Sequence, residues 1–321
     1  AGQIPSAASL SKARESEAGL REQIMAAMSG PGFRDFVIRG ASDRLLVDGL
    51  LNGLNFDIDT RGRYPALAEL LVRLPEERPE EYEDYRDKPF LTRWDAEWAF
   101  RWAITREPLE LIAHVVMNDL SYQQVVTADH TMVNAFSDLA YRSDTGFSHD
   151  FSDASGFYDR SEYQDFKPGY NDGHIPNDQK FESDDEGYVK SFSGYQEWPH
   201  AGVLSTQAWL ARYPSTDTNR NRARARWTYY HFLGVDIEKS APRTTDPVAL
   251  ADTNNPTMNN PACTVCHERM DPVAGAYQSF GDQGHYLNQH GGLDSLPDFY
   301  KNPQRADGDL YELPHDSETN L

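Results

Sequence analysis

The chain of 321 residues is 39% hydrophobic and 12% aromatic, enough to bury a sizeable core. Its 51 acidic against 30 basic residues give a net charge of −21, which argues against nucleic acid or an anionic membrane as main partner. No run of 18 apolar residues is present, so no transmembrane segment is expected, and the first residues lack the apolar core of a signal peptide.

The first third reads as helices. Residues 9–28 carry Leu20, Ile24 and Met25 at helical spacing and stop at Ser29-Gly30-Pro31. A second helix is expected over 42–53, from a Ser42-Asp43 cap to Asn52-Gly53, and a third over 64–74, bounded by Pro65 and Pro75. Residues 75–89 are too polar for core. Within 57–68, Asp57, Asp59 and Gly62 match the start of a calcium loop, but Arg61 and Ala68 stand where ligands are needed.

From residue 91 aromatic residues return. Trp94, Trp98 and Trp102 repeat every fourth residue, a spacing read as helix core packing in preference to a cofactor wall. Residues 106–141 hold two or three further helices. Residues 144–188 hold twelve Asp or Glu against three Lys or Arg, with no lasting period, and read as a long irregular acidic insert. There Asp184, Asp185 and Glu186 form a solvated charge run, and an adventitious cation is the alternative. Helical signal resumes at 203–211 and 218–233, the latter closed by Gly234, and no strand run is convincing. Arg220, Arg222, Arg224 and Arg226 alternate along that second helix and are expected at the surface, pairing with the protein's own carboxylates or with an anionic cofactor.

The only two cysteines lie in "NNPACTVCHERMDP", residues 259–272. Two cysteines in a long chain do not make a disulfide scaffold, and a structural zinc site needs four ligands. Cys-x-x-Cys-His is the attachment pattern of c-type haem: Cys263 and Cys266 reach the two vinyl groups, and His267 meets the iron as proximal ligand. Zinc, a redox dithiol and an inert pair are the competing readings. Asp271-Pro272 is expected to end the attachment helix in a turn whose backbone carbonyl takes the other ring N–H of His267. Met270, three residues after His267, lies on the proximal side and reads as haem packing. The distal candidates are His130, Met132, Met258, His285 and His290, beside an open sixth position.

The stretches "HAGVLSTQAWLARYPSTDTNRNRARARWTYYHFLGVDI" (200–237), "NPACTVCHERMDPVAGAYQSFGDQG" (260–284) and "SYQQVVTADHTMVNAFSDLAY" (121–141) carry a family pattern. Across roughly 90–285 the chain resembles the planctomycete-type cytochrome c-like domain families of unknown function. The box "CxxCHxxMDP" is the most specific part. His130 stands where that family has Tyr, Ala274 and Tyr277 depart from its usual residues, and the acidic insert has no counterpart in it. The resemblance implies one covalent haem c and leaves the reaction open.

The expected fold is mainly α, a helical domain carrying one covalent c-type haem, with a long irregular acidic insert. Its divisions are an N-terminal helical segment (1–90), a helical family-like region (91–143), the insert (144–195) and the haem-binding helical region with a loop-rich tail (196–321). The expected function is a mono-haem c-type cytochrome passing single electrons to or from a protein redox partner, itself a second haem subunit in one version. The alternatives are a haem enzyme of peroxidase or oxidase type with an open distal site, and an assembly module stapled by haem. No distal Arg-His pair or general acid is recognisable. Covalent haem attachment takes place outside the cytoplasmic membrane, so a periplasmic or extracellular location is expected, with the signal peptide already removed.

Overall fold

The computed structural model describes residues 4–47, 64–76, 92–151, 161–171, 175–176, 182–183, 189–191, 195–196, 199–215, 221–253, 256–277 and 280. These residues are mainly helical. The expectations at 48–53, 57–62, 184–186, Arg220, His285 and His290, and most of the polar stretch 75–89, lie outside them.

The single helix expected over 9–28 is two, α1 (Ala7–Glu15) and α2 (Glu17–Met28). Ser16 breaks it: its backbone is extended, and its hydroxyl accepts from the Gly19 N–H as the cap of α2. The anticipated apolar face of Leu20, Ile24 and Met25 is exposed, and Gly19 is the one residue of this pair that is buried. Helix α3 (Pro31–Leu45) was not anticipated. Pro31 reads as a stop, yet Pro is well suited to a first turn, whose N–H needs no helical partner. Ser42 and Asp43 therefore lie in the last turn of α3 rather than capping a new helix. Helix α4 (Pro65–Arg73) agrees with expectation.

The spine is α5 (Arg93–Met117), started by a reciprocal capping box between Thr92 and Asp95. It runs unbroken through Pro108 and joins what the sequence divides near residue 106. Its buried side is Ala96, Ala99, Phe100, Ala103, Ile104, Leu109 and Leu111. The Trp94–Trp98–Trp102 stripe is not core: Trp94 is exposed and stacks on Trp98 at 5.9 Å, while Trp102 leans on Phe166 at 5.8 Å. Helices α3 and α4, the short α6 (Gln124–Thr127), β1 (Thr131–Val133) and α7 (Ala135–Tyr141) all pack against α5. Arg34 and Arg106 converge on buried Glu110 and neutralise it.

The insert contains regular structure despite its composition. Helix α8 (Ser161–Gln164) precedes β2 (Lys167–Gly169), which pairs antiparallel with β1, Met132 opposite Pro168. Beyond it β3 (Ile175–Pro176) pairs with β6 (Tyr195–Gln196), and β4 (Glu182–Ser183) with β5 (Val189–Ser191). Strands of two or three residues are too short for a period of two to show in sequence.

Helix α9 (Gln207–Arg212) follows, capped by Thr206. The turn before it docks on α6 through Gly202 N–H to the Ala128 carbonyl (2.9 Å) and Val203 N–H to the Val125 carbonyl (2.8 Å). Gly202 has φ +54, and a Cβ there would sit 2.3 Å from the Val125 oxygen. Gly202→Ala is therefore expected to cost about 2–3 kcal/mol, from left-handed strain plus the collision. Thermal denaturation checks this, and an unchanged midpoint would refute the docking.

The C-terminal helices are α10 (Arg222–Thr228), α11 (Pro247–Leu250), α12 (Pro256–Asn259) and α13 (Pro261–Ala276). Helix α10 runs into a π-helical turn, Tyr229–Leu233, closed as expected by Gly234 at φ +69. Helices α10 and α12 pack on α13. Between α10, α13 and the short turn at Ile237–Lys239 lies a small apolar cluster of Ala225, Ile237, Met270 and Ala274, distinct from the main core around α5.

Candidate functional site

Helix α13 presents the Cys-x-x-Cys-His stretch in its first two turns. Pro261 occupies the first position, and the Asn260 side chain accepts from the Ala262 N–H at 3.0 Å. Asn260 is itself anchored to Asp252 at 2.9 Å. At helical spacing Cys263, Cys266 and His267 fall on one face, one turn long. Both cysteines are free thiols and half-buried. The Cys266 Sγ points a weak donor at the Ile237 carbonyl, 3.7 Å away.

The expected turn at Asp271-Pro272 does not form. The helix continues through Pro272 to Ala276, and the acceptor for His267 is a side chain instead of a backbone carbonyl. His267 Nδ1 lies 3.0 and 3.1 Å from the two Asp271 oxygens, one helical turn on. Arg222 of α10 reaches the same carboxylate with a two-pronged grip, Nε at 2.8 Å and Nη2 at 2.9 Å. Burial alone would raise the Asp271 carboxyl, yet the hydrogen bonds from Arg222 and His267 hold it below the usual range. Asp271 is thus an anionic acceptor, His267 donates to it from Nδ1, and Nε2 is the ring nitrogen not engaged by Asp271.

Met270 points inward, packed with Ala225, Ile237 and Ala274 in the small cluster. His130 and Met132 belong to another corner. His130 Nδ1 meets Asp129 at 3.1 Å, and its ring lies edge-on to His114 and Tyr170. Met132 is buried in β1 within the main core. Met258 lies in α12, directly before α13.

The arginine run divides. Arg222 and Arg226 pair with the protein's own carboxylates, Asp271 for the first and Asp236 and Glu238 for the second. Arg224 is fully buried, contrary to the expectation of a surface residue. It donates to the carbonyls of Leu210, Tyr213 and Phe280 and to Asn221 Oδ1.

A second polar centre was not anticipated. Glu107, Thr131, Tyr141, Asn171, His200 and Gln207 are among the residues lining a cavity of about 10 Å³. Thr131 and Tyr141 hydrogen-bond to Glu107, and His200 Nε2 accepts from the Asn171 N–H at 3.0 Å. Glu107 Oε1 and Asn171 Oδ1 find no partner among the described residues. Burial pushes the Glu107 carboxyl up to about 8 and the His200 imidazole down to about 4, the latter helped by His130. The signal in the sequence is Glu107 at the head of a run that continues Pro108-Leu109, then Leu111-Ile112-Ala113. Among the described residues, no group of three or more His, Cys, Asp or Glu is arranged to hold a metal ion.

Fold and site together define a mainly helical protein whose thiol pair and histidine share one face of a carboxylate-braced helix. Residues 200–290 match the family model described as PSCyt3, Protein of unknown function (DUF1588), a span that includes α9, α10 and the whole of α13. No curated protein and no solved structure matches the chain. Among the described residues no helix is long and apolar enough to cross a membrane.

Proposed function

We propose that this chain is a mono-haem c-type cytochrome that passes single electrons to or from a protein redox partner outside the cytoplasm. The observation that carries the reading is the common face of two free thiols and a histidine whose Nδ1 is already engaged by Asp271. That donor set fits haem c: Cys263 and Cys266 would hold the porphyrin through thioethers, and His267 would offer Nε2 to the iron. The bound group would supply a one-electron Fe(III)/Fe(II) couple. Exposed Leu233 and Val235, close in sequence to Ile237, and Val265 beside Cys266 supply apolar surface of the kind a porphyrin covers. Met270 would support the attachment helix from its inner side. His130 and Met132 lie in another corner, removed from the attachment face, so the sixth position is left to Met258, His285 or His290, or stays open. With a net charge of −21, the partner is expected to present a basic docking surface.

The test is haem staining after denaturing electrophoresis of protein matured in an exporting host. A stained band at the chain's mass is expected from the wild type, and little or none from Cys263→Ala/Cys266→Ala or His267→Ala. A colourless wild-type band sinks the reading.

A second reading, a haem enzyme of peroxidase or oxidase type, is favoured by the same His267–Asp271 contact. An anionic acceptor strengthens the imidazole as a donor and stabilises oxidised iron. The carrier reading expects a low-spin spectrum and slow cyanide binding. A high-spin resting spectrum with rapid cyanide binding would select the enzyme.

A further inference from the structure

We infer that Asp271 and Arg222 are positioning residues that set how strongly His267 binds iron, acting through opposed hydrogen bonds on one carboxylate. This rests on the haem reading above and goes beyond it.

The geometry has three parts. His267 and Asp271 are one turn apart on α13, so their side chains are stacked along one face. A carboxylate can only accept, so both Oδ contacts, at 3.0 and 3.1 Å, require a proton on Nδ1 and leave Nε2 as the ring nitrogen that would meet iron. The Asp271 side chain is 12% exposed and that of His267 is 20% exposed, so water screens the contact weakly.

A backbone carbonyl at this position would carry a fraction of a charge; the Asp271 carboxylate carries a whole one. It draws the Nδ1 proton more strongly and leaves Nε2 more electron-rich, which favours the ferric state. Arg222 works against this. Its fork occupies the same two oxygens at 2.8 and 2.9 Å and withdraws part of the carboxylate's charge from His267. It also ties the orientation of the imidazole to the packing of α10 on α13, because the carboxylate cannot turn without breaking the fork. Pro272 makes the arrangement more dependent on side chains. It has no N–H for the Glu268 carbonyl, yet the helix holds its course and keeps Asp271 in register with His267.

The test is potentiometry of the haem-loaded full-length protein and three variants. Asp271→Asn keeps the shape and removes the charge. It is expected to raise the midpoint potential by at least about 59 mV, tenfold in the reduced-to-oxidised ratio for a one-electron couple. Arg222→Gln is expected to lower the potential, the opposite sign, by freeing the carboxylate for His267. Glu268→Gln is the electrostatic control. It removes an exposed carboxylate next to His267 that has no hydrogen bond to the ring, and should move the potential by less than a third as much.

The same samples give a second readout. In 15N-histidine NMR the Nδ1–H of His267 should be slow to exchange in the wild type and faster in Asp271→Asn. This wild-type signal also decides the matter if Asp271→Asn fails to mature, because a fast-exchanging Nδ1–H there overturns the inference. Equal shifts for Asp271→Asn and Glu268→Gln, or normal haem with an unmoved potential in Asp271→Asn, overturn it as well. Absence of haem from the wild type is a different result, since it removes the reading on which the inference stands before any potential is measured.

Discussion

Replacing Arg224 by methionine is expected to cost the fold about 3–5 kcal/mol, a large share of a typical domain's stability. The side chain is fully buried and its guanidinium spans three backbone carbonyls, those of Leu210, Tyr213 and Phe280, together with Asn221 Oδ1. Methionine fills much of the volume and donates nothing. Each buried acceptor left without a donor costs about 1–3 kcal/mol, and relaxation or water entry recovers part of the total. These acceptors close the end of α9 and the chain after α13 onto α10, so the loss is expected to loosen the seat of the Cys-x-x-Cys-His helix as well. Urea unfolding measures the free energy, and on the proposed haem reading the haem content after export measures the effect on α13. Arg226→Met is the comparison. That arginine pairs with Asp236 and Glu238 at a half-exposed site, where an ion pair is worth about 0–1 kcal/mol. Equal losses for the two variants would mean that the carbonyl hub contributes nothing special.

The contrast between neighbouring arginines shows what the sequence carries. Helical spacing divides Arg222, Arg224 and Arg226 correctly into two faces, but it does not say which face is inside. An arginine run normally means solvent, and burial here depends on carbonyls at the ends of α9 and beyond α13, many residues away. Local signals were legible where the chemistry is local. Gly234 ends the π-helical turn because it accepts a positive φ. That Cys263, Cys266 and His267 share one helical face follows from their spacing alone.

Elsewhere the sequence misleads for physical reasons. Ser16 breaks a helix because its hydroxyl offers the backbone a cap, an option compatible with a continuous helical pattern. Pro31 opens a helix that composition reads as closed, and Pro272 and Pro108 are carried inside helices by surrounding packing. Proline excludes a hydrogen bond; whether the helix survives is decided by what packs around it. The i, i+4 spacing of His267 and Asp271 pairs them on one face, whereas the Asp271-Pro272 dipeptide, read as a turn, points to a backbone acceptor instead.

Glu107, the buried glutamate of α5 that no arginine neutralises among the described residues, leads to a large expected pH effect. Glu107 has an ordinary value of 4.5, and burial pushes it to about 8 despite hydrogen bonds from Tyr141 and Thr131. Below about pH 4.5 the carboxyl is protonated whether the chain is folded or not, and it places no load on the fold. Between 4.5 and 8 the unfolded chain releases the proton while the folded chain keeps it. Stability then falls as pH rises, by about 1.4 kcal/mol per pH unit, on the order of 5 kcal/mol over the whole window. Above pH 8 both states are ionised and this loss stops growing. Glu107→Gln keeps nearly the same shape and can still donate and accept, but it does not titrate. It is expected to match the wild type within about 1 kcal/mol near pH 5 and to be several kcal/mol more stable than the wild type at pH 8. Urea unfolding of both proteins at pH 5, 6.5 and 8 checks this, with the difference between the two curves removing every other titrating group. A constant difference across that range would show that Glu107 is not held protonated. A Gln variant less stable at pH 8 would likewise overturn the prediction, because burial would then not be penalising the ionised carboxylate.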